Sequence, residues 1–167
     1  MSDSPAPTSI GEPVDPDVGV ALPRQRRELR RAPWAVLGAV SAGGTIGALA
    51  RDALTVAWPR QPGAFPWATF VTNVTGCLLI GVLMVLITEV WAAHQLLRLF
   101  LGTGVLGGYT TFSTYAVDAQ QLVVAGAART ALLYLAATVV TALVAVYAGM
   151  TLTRLATAVH KPRRGRR

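Results

Sequence analysis

Charged side chains are scarce in this sequence. Asp, Glu, Lys and Arg make up 14% of its residues, against about a quarter in soluble domains, and a chain with 53% hydrophobic residues and so little charge is a membrane protein. Cysteine is almost missing too. Cys77 stands alone, which excludes an intramolecular disulfide and argues against a metal cluster; it reads as a small packing residue. The two histidines, His94 and His160, fall in a loop and a tail without a partner at useful spacing. No nucleophile and base pair, metal-ligand set or phosphate loop is present, so the chain is not expected to be an enzyme.

What is present is four uncharged stretches: Trp34 to Ala50, Trp67 to Thr88, Leu99 to Val117 and Thr130 to Thr153. Each is close to the roughly 20 residues that cross a hydrocarbon core as a helix. The first is expected to continue through Arg51 and Asp52 towards Trp58, where Pro59, Gln61 and Pro62 close it. Glu89 to Arg98 is expected to connect the second and third stretches, and Asp118 to Arg129 the third and fourth. The fold class is therefore all-α, with four transmembrane helices and no room for a soluble catalytic domain.

The organisation reads as a basic, disordered tail over residues 1–31, a four-helix domain over 32–159 and a basic tail over 160–167. The net charge of +7 sits mostly in the tails beside an apolar core, which makes anionic lipid headgroups the expected partner and not nucleic acid. Twelve Lys and Arg residues lie on the side of the two termini, Arg98 among them, and three (Arg51, Arg60, Arg129) on the other. That bias predicts cytoplasmic N- and C-termini in a plasma-membrane protein.

Inside the third stretch, Gly107-Gly108-Tyr109-Thr110-Thr111-Phe112-Ser113-Thr114-Tyr115 carries two adjacent glycines followed by four hydroxyls in five positions. Such a helix is expected to break, and a break at membrane depth is tolerated only where it is buried in protein or lines a cavity. An ion site or a permeation path follows as the suggestion. Phe112 and Tyr115 would share one side of the helix after the break, and their positive ring edges suit either core packing or a dehydrated anion.

Polar residues recur in the other stretches. Thr69, Asn73 and Gly76 share a helical face; Asn73 serves either as an interhelical hydrogen-bonding group or as an uncharged donor to a passing anion. Tyr134, Thr138 and Thr141 form a hydroxyl stripe in the fourth stretch, although such threonines often bond their own helix. Gly43 and Gly47 form a Gly-x-x-x-Gly pair suited to close helix approach, and Arg51, one turn on, is expected in the headgroup zone or a vestibule.

Together, Gly43-Gly44-Thr45-Ile46-Gly47-Ala48-Leu49-Ala50-Arg51, the segment Thr69 to Gly76 with its Asn73, the run Gly107 to Tyr115, and Tyr134 with Thr138 resemble the Fluc (CrcB-type) fluoride channel family over residues 43 to about 150. The resemblance implies a passive fluoride channel that exports cytoplasmic fluoride, built as an antiparallel dimer whose broken third helices cross at the centre. It also implies a structural sodium ion at the dimer axis, not transported, held by the backbone carbonyls of Gly107 and Thr110. By motif position it assigns Asn73, Phe112, Ser113, Thr114, Tyr115, Tyr134 and Thr138 to the fluoride pathway, and Asp118 to an acid usual after the break, vestibular or structural like Arg51. Tyr115 departs from the family, which usually has a second phenylalanine there.

Two other classes compete. One is a small four-helix proton-coupled transporter of the multidrug type, against which stands the absence of any acid in Trp34 to Ala50. The other is a non-conducting subunit of a paired channel. The strong Lys/Arg bias fixes one orientation, so the dimer is expected either as a homodimer with some inverted insertion or as a pair with an oppositely oriented paralogue.

Overall fold

The computed structural model describes residues 33–90 and 95–159. Both expected tails and the two histidines lie outside the described residues. Among the described residues the chain is helical, without a strand. Helix α1 covers Pro33–Ala57, and α2 covers Trp67–Val85 and runs on through a π-type turn at Leu86–Val90. The next run, α3, occupies residues 95–109 as an α-helical turn at Gln95–Arg98, a wider π-type stretch at Leu99–Leu106 and a last α turn at Gly107–Tyr109. Then come α4, Phe112–Val124, and α5, Ala128–Val159.

Among the described residues two helices are long and apolar enough to cross a membrane, Trp67–Val90 and Ala128–Ala158. Helix α1 has the length, but its glycines and the Arg51–Asp52 pair dilute its apolar character, and the third stretch is divided between α3 and α4.

The connections are shorter than the charges suggest. Asp118 to Val124 stays helical, because Asp118 and Gln121 find side-chain partners on the helix surface. Helix α4 ends only where Gly126 takes φ 76°. There the Gly126 N–H donates to the Val123 carbonyl at 3.0 Å and the Ala127 N–H to that of Leu122 at 2.8 Å, the paired bonds of a Schellman cap. Gln95–Arg98, expected as loop, is likewise helical.

The core is built from small residues. Helices α2 and α5 form the most extensive pairing; buried on them are Ala68, Thr69 and Thr72 and Ala131, Tyr134, Thr138 and Ala145. Gly81 and Gly149 complete it: a Cβ at Gly81 would overlap the Val146 carbonyl, and one at Gly149 the Leu78 carbonyl. Backbones that close need residues without side chains, the usual means of association where lipid removes the hydrophobic drive between helices. Large apolar residues point outward instead, Leu132, Leu133, Leu143, Val144, Leu152 and Leu155 on α5 among them.

Helices α1 and α3 meet in the same way. Gly43 and Gly47 lie against Gly104 and the backbone of Val105 and Tyr109, while Gly108 rests on Gly44. This contact explains why the chain does not break at Gly107-Gly108. Gly108 is used for approach while still helical, and the backbone opens two residues later.

Candidate functional site

The break lies at Thr110 and Thr111, whose backbones are extended (φ −77°, ψ 155° and φ −149°, ψ 127°). Asn73 replaces the lost helix bonds with a reciprocal pair: its Nδ2 donates to the Thr111 carbonyl and its Oδ1 accepts from the Thr111 N–H, both at 3.0 Å. With the Thr111 N–H so engaged, the Gly107 carbonyl loses its i+4 donor. Thr111 then starts α4 as its N-cap, the side-chain oxygen accepting from the Thr114 N–H at 3.1 Å. The Thr111 hydroxyl also donates to Thr114 Oγ1 at 3.0 Å and lies 3.3 Å from the Ser113 hydroxyl.

The α2 face anticipated from three- and four-residue spacing meets the break along its length. Gly76 leaves room for the Thr110 methyl, Asn73 holds Thr111, and Thr69 donates to Asp118 Oδ2 at 2.6 Å. Off that face, Thr75 lies 2.9 Å from the Tyr109 hydroxyl. Arg51 reaches the break: its Nη1 donates to the Thr110 carbonyl at a long 3.4 Å.

The expected pathway residues divide into two groups. Phe112, 80% exposed, lies with Ser113 and Thr114 on an open face. Tyr115, half-buried, is the hinge between the groups: its ring centroid is 5.8 Å from that of Phe112 and 5.1 Å from that of Tyr134. Its hydroxyl donates to the Leu135 carbonyl at 3.0 Å, so the oxygen that distinguishes it from phenylalanine is tied to α5.

Tyr134 and Thr138 lie in the interior. Tyr134 is 0% exposed, and among the described residues its hydroxyl meets no partner at hydrogen-bonding geometry. The Thr138 hydroxyl donates to the Tyr134 carbonyl at 2.7 Å and that of Thr141 to the Ala137 carbonyl at 2.6 Å, the i−4 bonding common for threonine in helices. Thr138 and Thr141 thus bond within α5, with the Tyr134 side chain enclosed beside them.

Sequence reasoning missed Arg60. Its Nη1 is 3.0 Å from Asp118 Oδ1 and its Nη2 donates to Gln121 Oε1, which binds the α1–α2 connection to α4. At the opposite end Arg154 pairs with Glu89 at 2.8 Å. The flanking Pro59 and Pro62 signal a stiffened loop, but only the fold brings Arg60 to Asp118.

Carbonyl oxygens freed by a helix break are the donor type a hard cation takes. Gly107 fits that description; Thr110 fits it with its oxygen shared with Arg51.

Fold and site define a helical integral membrane protein whose uncharged polar groups gather at an interrupted helix. Residues 38–150 match the family described as CrcB-like protein, Camphor Resistance (CrcB). The chain is 57% identical over 134 residues, 80% of its own length and 83% of the relative's, to a protein of Streptomyces avermitilis named fluoride-specific ion channel FluC 2. It is 55% identical over 123 residues (74% and 88%) to one of Nocardia farcinica with the same name. A protein of Streptomyces coelicolor named fluoride-specific ion channel FluC 1 is 52% identical over 130 residues (78% and 83%). The chain belongs to the CrcB-like family.

Proposed function

We infer that this protein is a fluoride-specific ion channel that lets cytoplasmic fluoride leave the cell passively, and that it is not an enzyme. The observation that carries the reading is the interruption at Thr110–Thr111 with uncharged donors beside it, in a chain so similar to proteins named for that activity. Fluoride is strongly hydrated, so a path must replace its water shell without holding the ion too tightly, which uncharged donors do. Asn73 Nδ2 carries two hydrogens; one goes to Thr111 and the other is available to an anion. The ring edges of Phe112 and Tyr115 add positive potential without formal charge. Ser113, Thr114, Tyr134 and Thr138 complete the pathway in this reading.

The working unit is an antiparallel dimer of four-helix subunits in the plasma membrane, with α3 and α4 together forming the third, broken span. The open face carrying Phe112, Ser113 and Thr114 supports a second subunit there. The carbonyls of Gly107 and Thr110 from both subunits would hold a structural sodium ion, which would neutralise the converging carbonyl dipoles. Both termini face the cytoplasm. With twelve Lys and Arg residues on that side against three on the other, an oppositely oriented paralogue is favoured as partner over an inverted copy. Reporters active on only one side of the membrane, fused to the C-terminus, distinguish the two: signal on one side supports the paralogue, and equal signal on both supports the homodimer.

The cellular test is growth. A bacterium lacking its own fluoride export should regain fluoride resistance when it expresses this chain, with its partner where one is needed. Unchanged sensitivity, with the protein present in the membrane, contradicts the reading.

A further inference from the structure

Asp118 is 9% exposed and lies on α4 three residues after Tyr115, nearly one helical turn on. A buried anion beside an anion pathway opposes the flow in two ways: it repels the permeant charge, and it takes up hydrogen-bond donors that the ion needs. Here both carboxylate oxygens are engaged elsewhere. Thr69 donates to Oδ2 at 2.6 Å and Arg60 to Oδ1 at 3.0 Å. Arg60 is steadied by its second bond, to Gln121, and by the prolines at 59 and 62 that restrict its loop.

We propose that Arg60 is a positioning residue for anion passage: by pairing with Asp118 it cancels the buried negative charge beside the path and holds that carboxylate in place. The inference rests on the fluoride reading. In Arg60→Gln the carboxylate remains with its charge uncancelled and one oxygen released. In Arg60→Gln with Asp118→Asn the anion is gone and nothing is left to cancel. Arg60 therefore matters only while Asp118 is charged, which a role in merely tying the loop to α4 does not predict.

The test is fluoride efflux from liposomes containing the purified full chain, assembled as in the wild type, for wild type, Arg60→Gln, Arg60→Lys, Asp118→Asn, the double variant and Arg129→Gln, an exposed cation in the first turn of α5 used as control. Expected is a fall of about tenfold or more for Arg60→Gln, recovery to within about threefold of wild type in Arg60→Lys and in the double variant, and no change in Arg129→Gln. Wild-type flux in Arg60→Gln, or a double variant as slow as Arg60→Gln, overturns the proposal. Should Arg60→Gln fail to fold, Asp118→Asn and the double variant decide: equal rates support the proposal, and a further tenfold loss overturns it. A wild type that passes no fluoride overturns the channel reading itself, a result distinct from any pattern among the variants.

Discussion

Replacing Asn73 by Asp changes one group, an NH2 for an oxygen, at nearly constant volume. The Thr111 N–H keeps its acceptor, but the Thr111 carbonyl, which receives a hydrogen bond at 3.0 Å from Nδ2, would face a second acceptor. Loss of that bond costs about 1 kcal/mol, and the unsatisfied carbonyl adds about 1–3 kcal/mol, so the variant should be less stable by about 2–4 kcal/mol. The effect on permeation is larger. A fixed negative charge about 4 Å from the ion, at an effective dielectric constant of about 20, repels it by about 4 kcal/mol, and at 1.36 kcal/mol per decade that is nearly a thousandfold. Fluoride flux per folded protein, measured with a fluoride electrode after reconstitution of equal amounts, should fall by at least a hundredfold, and the detergent melting temperature should drop. Wild-type flux per folded protein with a lowered melting temperature would leave Asn73 as a purely structural staple of the break and refute its place in the pathway. An unchanged melting temperature would refute the reciprocal bond to Thr111.

Phe112→Ile should lower fluoride flux at least tenfold with little loss of subunit stability, because the ring is 80% exposed and its removal creates no cavity; efflux and thermal melts read the two effects separately. Exchanging sodium for a large organic cation should lower dimer stability in detergent, as followed by size-exclusion chromatography, if the carbonyls of Gly107 and Thr110 bind the ion; identical stability in both salts rejects that site. Gly47→Val should prevent recovery of folded protein, since its Cβ would overlap the Val105 carbonyl and crowd the Tyr109 N–H. Gly38→Ala, with nothing within 4 Å of its Cβ position, should be neutral or gain about 0.5–1 kcal/mol.

The helices were legible because uncharged runs of spanning length leave few alternatives. The face of Thr69, Asn73 and Gly76 was legible because helical spacing places those residues together whatever they meet, and in the structure they meet Asp118, Thr111 and Thr110. The break was legible in kind but not in place. Gly107 and Gly108 look like the weak point, yet Gly108 is used against Gly44 and remains helical; the chain opens where Asn73 offers a side-chain amide in place of a backbone partner. The loop boundaries failed for a related reason: Asp118 and Gln121 read as solvent-facing residues until Arg60, 58 and 61 positions away, supplies a partner. The Arg51 contact was not legible either, since its target, the Thr110 carbonyl, is freed only by the break.

The central claim, selective passive passage of fluoride, is tested most directly by ion efflux from liposomes carrying the purified protein, with its partner subunit where one is required. Fluoride and chloride loads are released side by side under an imposed potential. The account predicts rapid fluoride release and chloride release no faster than from protein-free vesicles. Equal release of the two ions, or fluoride release that depends on a proton gradient, would contradict it.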